Sequence, residues 1–305
     1  MPEFVSIRNA DREMTDRYLS CLCAYKTRSC EFAYANLYAW EDAYDTKLCD
    51  CGSFFLIMFR ISSGTACFMP PVGENADMKQ YLSLVLQTAK QNGENEVGFS
   101  AFSKEEADRL CRIAPEVSFM PDRGNFDYLY EVEPLVTYSG KKLHSKRNHM
   151  NKFLSLYDGR YSFERITGKN AAECISFNRE WSKINESYDT GSLGEEEKCA
   201  VTMLENFDAM GLCGGIMRVD GKVCGYTLAE ETCPGSDTVV VHIEKALYDI
   251  EGVYPAMFSM FLASFGGKYK YVNREDDVND DGLRKSKLSY NPVQFVEKYD
   301  GMLTL

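Results

Sequence analysis

Apolar and polar positions along the chain fall into two successive rounds of one alternation. In the first round, residues 1–12 read as an opening strand and cap, Asp11 to Tyr25 as a helix, and Phe32 to Tyr44 as aromatic-rich irregular structure or short helix. Phe54 to Ile61 is apolar except for Arg60. Ser62-Ser63-Gly64 turns the chain and Thr65 to Met69 returns, which predicts a hairpin that Pro70-Pro71 stops. Asp77 to Gln91 carries Met78, Tyr81, Leu82, Val85 and Leu86 at helical spacing. Val97 to Ala101 reads as a strand, Lys104 to Ile113 as a helix, and Tyr128 to Val132 as a strand.

The second round starts with helices over Ala171 to Glu186 and Glu195 to Met210. Gly215 to Val219 and Lys222 to Ala229 flank Asp220-Gly221, a pair suited to a two-residue hairpin turn with both central φ angles positive. Thr238 to Glu244 is a strand rich in β-branched residues. A helix over Tyr254 to Phe265, a strand over Tyr269 to Asn273, a helix over Gly282 to Tyr290 and a strand over Val293 to Tyr299 complete it. The pattern predicts an α/β (α+β) chain that duplicates one fold, with mixed sheets flanked by helices. The divisions expected are a domain over 1–138, a connecting helix over 139–157, and a domain over 158–305 that carries the site.

A length of 305 residues suits two domains, and a composition 45% hydrophobic and 13% aromatic suffices for two packed cores. The chain is acidic, with 46 Asp and Glu against 34 Lys and Arg. Its whole surface therefore does not attract nucleic acid or anionic lipid, and a polyanion must meet a local basic patch. One such patch exists. From Lys141 to Tyr157 no acidic residue occurs. Leu143, Met150, Leu154 and Tyr157 form an apolar stripe; Lys141, Lys142 and Lys152 fall off it, Lys146 borders it, and Arg147 lies near its middle. Two readings stand side by side: a helix contacting the phosphates of tRNA or of a nucleotide tail, or a solvated helix whose cations pair with acidic neighbours.

The 12 cysteines suggest reduced thiols in the cytoplasm, because no secretory signal opens the chain and residues such as Cys67 and Cys224 sit in apolar runs. Cys21/Cys23 and Cys49/Cys51 are spaced C-x-C without a second arm, so no metal site is expected. The stretch Val253 to Phe265 is interrupted by Pro255, Ser259 and Ser264 and is too short for a membrane span, which needs about 20 apolar residues. Asp277-Val-Asn279-Asp-Asp281-Gly282 matches half a calcium loop, but Leu288 stands where the bidentate Glu belongs. A cap on the next helix by Asp280 or Asp281 explains the carboxylates better.

From Gly214 onward the order hairpin, strand, helix, strand, helix, strand resembles the N-acetyltransferase superfamily core, whose two central strands splay around the acyl donor. An acetyl-CoA enzyme of that kind usually carries a basic-x-x-G-x-G/A loop there; this chain has Lys245-Ala-Leu-Tyr-Asp249-Ile-Glu251-Gly252, with one glycine and two carboxylates. The run Tyr271-Val-Asn273-Arg274-Glu275-Asp276-Asp277, then Gly282-Leu283-Arg284-Lys285-Ser286-Lys287-Leu288-Ser289-Tyr290-Asn291-Pro292, resembles the C-terminal domain of the phosphatidylglycerol lysyltransferases and their soluble relatives. Asp127-Tyr-Leu-Tyr130, the segment Lys141 to Phe153, and Phe32-Ala-Tyr34-Ala-Asn36-Leu37-Tyr38-Ala-Trp40 are similar to the soluble relatives. The resemblance implies a tandem acetyltransferase-like fold, similar to the Fem-type peptidyltransferases, and enzymes that move an aminoacyl unit from tRNA to an amine or a lipid hydroxyl.

Aminoacyl transfer needs a group to take the nucleophile's proton, a positive partner for the oxyanion, and a proton for the leaving hydroxyl. The resemblance places Lys287 on the signature lysine, as an oxyanion or tRNA-end partner; read alone, it is a solvated helix lysine. Arg284, one turn earlier, can face the same phosphate or carboxylate, and Asn273 and Arg274 are further substrate-binding candidates. Glu244, ending the central strand, is a candidate base or amine-binding group. His242, two residues earlier and expected on the same strand face, is either a base or a satisfied core histidine. Tyr290 is a proton donor or a core residue. Lys141, Lys142, Lys146, Arg147 and Lys152 are the candidate tRNA contacts. The expected protein is thus a cytoplasmic acyltransferase with no tightly bound cofactor, using aminoacyl-tRNA and an unidentified small-molecule or lipid acceptor. Acetyl-CoA as donor, or a binding protein without catalysis, are the alternatives.

Overall fold

The computed structural model describes residues 2–185 and 193–305. They fold as two units, residues 1–127 with 296–305, and residues 128–295. Each unit is built on a seven-stranded sheet. In the first, the strand order is Val5–Ser6, Lys47–Asp50, Phe55–Arg60, Ala66–Phe68, Glu96–Phe102, Tyr299–Thr304, Ser118–Pro121. In the second it is Tyr161–Arg165, Cys213–Val219, Lys222–Glu231, Thr238–Ala246, Tyr271–Asn273, Asp127–Glu131, Gln294–Val296.

Written this way the two sheets share one plan. Antiparallel strands lead to a parallel pair, Ala66–Phe68 with Glu96–Phe102 in one sheet and Thr238–Ala246 with Tyr271–Asn273 in the other. Beside that pair, each sheet takes a strand distant in sequence from the neighbour it joins. Tyr299–Thr304 runs antiparallel to Glu96–Phe102, and Asp127–Glu131 runs antiparallel to Tyr271–Asn273. The duplication expected from sequence is therefore present with one strand of each copy exchanged. The division at 138 falls elsewhere than the units of the fold, because residues 128–131 build the second sheet and residues 299–304 the first.

Local chemistry explains most elements. Asp220 and Gly221 both take positive φ, 51° and 77°, as the two-residue hairpin requires. Asp77 caps Met78–Asn92, whose end is closed by Gly93 in the left-handed region, and Ser103 with Glu106 forms a capping box on Lys104–Cys111. Asp280 caps Asp281–Leu288 by accepting from Leu283 N–H. Several expected elements end differently. The helix expected over Glu195 to Met210 is Leu193–Glu205, and the strand expected over Val293 to Tyr299 is two short strands. Glu186 lies outside the described residues. Among the described residues no helix is long and apolar enough to cross a membrane. Among the described residues none of the 12 cysteines forms a disulfide.

In the second unit the apolar helix Val253–Ala263 lies on the sheet and buries Phe258, Phe261 and Leu262 against Val239, Val241 and Val272. Phe153, from the helix His144–Leu156, packs with Met217, Ala246 and Met257 in the adjoining cluster. Burying each such side chain contributes about 2 kcal/mol. Together these contacts pack the strand Thr238–Ala246 where the site lies.

Candidate functional site

The parallel strands of the second unit pair over only three positions, from Thr238 opposite Tyr271 to Val240 opposite Asn273. Thr238–Ala246 then runs on while its partner ends. Side chains close the gap that follows. His242 and Glu244 on the long strand meet Glu275 and Arg274 beyond the short one.

Arg274 Nη2 donates to Glu244 Oε1 at 3.1 Å, and the two side chains are only 11% and 9% exposed. The guanidinium lies 4.3 Å from the Phe258 ring centre and 4.4 Å from that of Tyr290. The Lys146 ammonium is 3.9 Å from the Tyr290 ring centre. Burial raises the Glu244 carboxyl above its ordinary range, opposed by the charges of Arg274, Lys287 and Lys146. Burial, then the neighbouring Arg274 charge, pushes Lys146 down to about 8. Burial lifts the Tyr290 hydroxyl to about 12 although Arg274 pulls the other way. For Arg274 burial works against the charge, but Glu244 and the ring hydroxyls outweigh it, and its pKa is raised. One fixed cation, one basic carboxylate and one amine near neutrality thus share a dry site, where electrostatic effects are strong.

Two atoms of this pair are unengaged. Glu244 Oε2 and Arg274 Nη1 are buried and make no hydrogen bond. Thr227 Oγ1 is in the same condition, and Thr227 stands directly opposite Glu244 across the antiparallel pair. Buried polar atoms left unmatched cost about 1–3 kcal/mol each, so a ligand that supplies partners gains what the free protein forgoes. An acceptor, a donor and a hydroxyl side by side can take a polar reacting centre.

His242 belongs to a different network. A β-bulge, with Leu228 opposite Ile243 and Ala229 opposite Val241, leaves His242 without an opposite residue. Strict alternation with Glu244 is therefore lost. Its ring bonds Glu230 at 2.9 Å and Glu275 at 2.7 Å. Burial alone lowers its pKa, but hydrogen bonds and charge from Glu230 and Glu275 win and raise it to about 10. The two flanking carboxylates favour the protonated ring, which suits His242 better to a clamp than to a base.

Lys287 is buried, and its ammonium donates to the carbonyl oxygens of Arg274, at 2.6 Å, and Asp276. It ties down the loop that follows Asn273, in which Glu275, Val278 and Asn279 all have positive φ. Asn273 supports the same loop by accepting from Glu275 N–H at 2.7 Å. Arg284 turns to Asp277, with bonds of 2.9 and 2.7 Å, and to Asn279. The structure therefore does not direct Arg284 and Lys287 at one ligand. Tyr128 donates to Asp277 as well, which makes this corner a scaffold.

The basic segment disperses. Lys146 enters the buried site. Arg147 donates to the carbonyl oxygens of Tyr138 and Gly140, and Lys152 pairs with Glu251 at 2.6 Å. Lys141 and Lys142 are exposed. Sequence reasoning placed Lys146 among surface cations and missed Thr227 and Glu230. The available signal was two polar residues inside one largely apolar strand, Lys222–Glu231.

Residues 24–300 match the family model described as phosphatidylglycerol lysyltransferase, C-terminal, and the chain belongs to that family. A conserved protein of unknown function from Bacteroides thetaiotaomicron VPI-5482 is 32% identical with a TM-score of 0.92, each chain covering 100% of the other. L-PGS from Bacillus licheniformis is 15% identical with a TM-score of 0.65, over 95% of this chain and 91% of that one. FemX is 9% identical with a TM-score of 0.61, over 93% and 95%. The uncharacterized protein MYCGA3080 of Mycoplasmoides gallisepticum is 25% identical over 177 residues, 57% of this chain, and the match spans about half, 54%, of that relative. The fold is the tandem N-acetyltransferase-like one, with two mixed sheets flanked by helices.

Proposed function

We propose that the second unit is an aminoacyltransferase centre that moves an aminoacyl group from aminoacyl-tRNA to an amine or hydroxyl acceptor. The observation that carries this reading is the buried Glu244–Arg274 pair with one unengaged acceptor and one unengaged donor, beside an amine held near pKa 8. Family membership and the fold shared with L-PGS and FemX support it. The acceptor's nucleophile loses its proton to the Glu244 carboxylate as it attacks the ester carbonyl. Arg274 Nη1 donates to the developing oxyanion. The proton then passes to the departing ribose hydroxyl, from Glu244 or from Lys146, as the ester C–O bond breaks. Tyr290 shields and orients the cations, and Lys287 with His242 positions the Arg274–Glu275 loop. Exposed Lys141 and Lys142 meet tRNA phosphates.

Acetyl-CoA as donor is less well supported. Two carboxylates precede Gly252, and a Cβ on Gly252 would overlap the His149 carbonyl oxygen, so the helix His144–Leu156 lies against the start of Val253–Ala263. The reading is tested by equilibrium binding. A hydrolysis-resistant aminoacyl-tRNA should bind more tightly than uncharged tRNA, and saturating acetyl-CoA should leave the melting temperature unchanged. A ligand at about 100 times its Kd adds roughly 2.7 kcal/mol, so a clear rise with acetyl-CoA would reverse the choice of donor.

A further inference from the structure

The first unit buries a separate polar cluster that the transfer chemistry does not use. Cys30 opens the short helix Cys30–Phe32, and Lys298 directly precedes the strand Tyr299–Thr304. The two are 3% and 2% exposed, and Lys298 Nζ lies 3.4 Å from Cys30 Sγ. The same ammonium bonds Glu31 at 2.8 Å and Asp127 at 2.6 Å. Asp127, fully buried, accepts from Cys30 Sγ at 3.2 Å and from Cys30 N–H at 2.9 Å. A thiol and an ammonium are thus held side by side out of water. A carboxylate oxygen lies within reach of each proton they would lose.

We propose that Cys30 and Lys298 are a covalent modification site, at which dioxygen joins them through a single oxygen as an Sγ–O–Nζ bridge. The balance is thiol plus ammonium plus O₂ giving the bridge, one water and one proton. Sulfur and nitrogen each give up two electrons, and the four electrons reduce one oxygen atom to the bridge and the other to water. The S–H bond and two N–H bonds break, and S–O and O–N bonds form. Asp127 and Glu31 take the protons in transit. Dioxygen is small and uncharged, so burial that excludes ionic oxidants does not exclude it. Burial also keeps glutathione and a second cysteine from capturing the oxidised sulfur, which leaves the Lys298 nitrogen as its neighbour. The bridge ties the segment leading into the exchanged strand to residue 30, closing a sequence separation of 268 residues. Cross-links over such spans restrict the unfolded chain strongly.

The test is mass spectrometry on the full-length protein, kept in air or under dithiothreitol, with peptide mapping. The expected result in air is a gain of about 14 Da, one oxygen in and two hydrogens out, found on a linked peptide pair containing Cys30 and Lys298. Dithiothreitol should reverse it, and the bridged form should melt several degrees higher than the reduced one. Cys30→Ser and Lys298→Gln should each abolish the linked pair. The primary reading comes from the wild-type chain and does not depend on either variant folding. Recovery of both peptides unlinked after prolonged aeration, or Cys30 carrying sulfinic acid or a mixed disulfide, overturns the proposal.

Discussion

Replacing His242 with Gln should change how stability depends on pH more than it changes stability at high pH. In the fold His242 is protonated between Glu230 and Glu275, with its pKa raised from 6.5 to about 10. At about 1.4 kcal/mol per pH unit, that difference corresponds to about 5 kcal/mol of stabilisation when the proton is bound in both states. The folded state holds the proton more tightly, so the contribution is complete below pH 6.5 and is lost as pH climbs toward 10. Lys146 runs the other way. Its pKa is lowered to about 8, so its penalty is present at low pH and is relieved from about 8 upward. Both proteins contain Lys146, so its contribution cancels in the difference, which reports His242 together with the Glu230 and Glu275 carboxylates bonded to it. The assay is urea unfolding at a series of pH values, followed by Trp181 fluorescence in a Trp40→Phe background. From pH 6.5 to 9.5 the wild type should lose about 3 kcal/mol relative to His242→Gln, and the two should converge near pH 10. Parallel profiles for the two proteins would refute the imidazolium clamp.

Lys287→Ala removes two charge-assisted bonds to backbone carbonyls and should cost about 3 kcal/mol in thermal or urea unfolding. It should lower kcat more than it raises KM, because Arg274 is displaced. Gly252→Ala places a side chain at φ +77° against the His149 carbonyl and should destabilise by more than about 1 kcal/mol, read as a fall in melting temperature. Lys141→Glu with Lys142→Glu should weaken tRNA binding and flatten its salt dependence by about 1–2 in the log–log slope, while leaving the melting temperature within about a degree. An unchanged slope would remove these lysines from the tRNA surface.

Much of this was legible in local pattern. The Asp220-Gly221 hairpin, the strand Thr238–Ala246 and the helix Val253–Ala263 announced themselves through turn chemistry, β-branching and length. The exchanged strands did not. Tyr299–Thr304 has as its partner Glu96–Phe102, about two hundred positions away, and no local period records such a pairing. Glu244 was visible as a charge ending the central strand, and Arg274 as a charge within a recognisable signature. Their mutual burial was not, nor was the inward turn of Lys146, since helical spacing placed it only at the border of a stripe. The bulge at His242 defeated simple alternation for a physical reason, because one unpaired residue changes the face that the following side chains take. Lys287 was singled out through the signature, as an oxyanion or tRNA-end partner. Its bonds to the Arg274 and Asp276 carbonyls give it a positioning role that sequence spacing does not convey.

The central claim is that Glu244 and Arg274 perform aminoacyl transfer. Its most direct test is a single-turnover reaction of the purified protein with tRNA charged with labelled amino acids, in the presence of candidate amine and hydroxyl acceptors. The account predicts loss of label from tRNA into an acceptor-linked product, slowed at least about 100-fold in Glu244→Gln with folding retained. Label that leaves the tRNA equally fast with wild type, Glu244→Gln and no protein at all would contradict it.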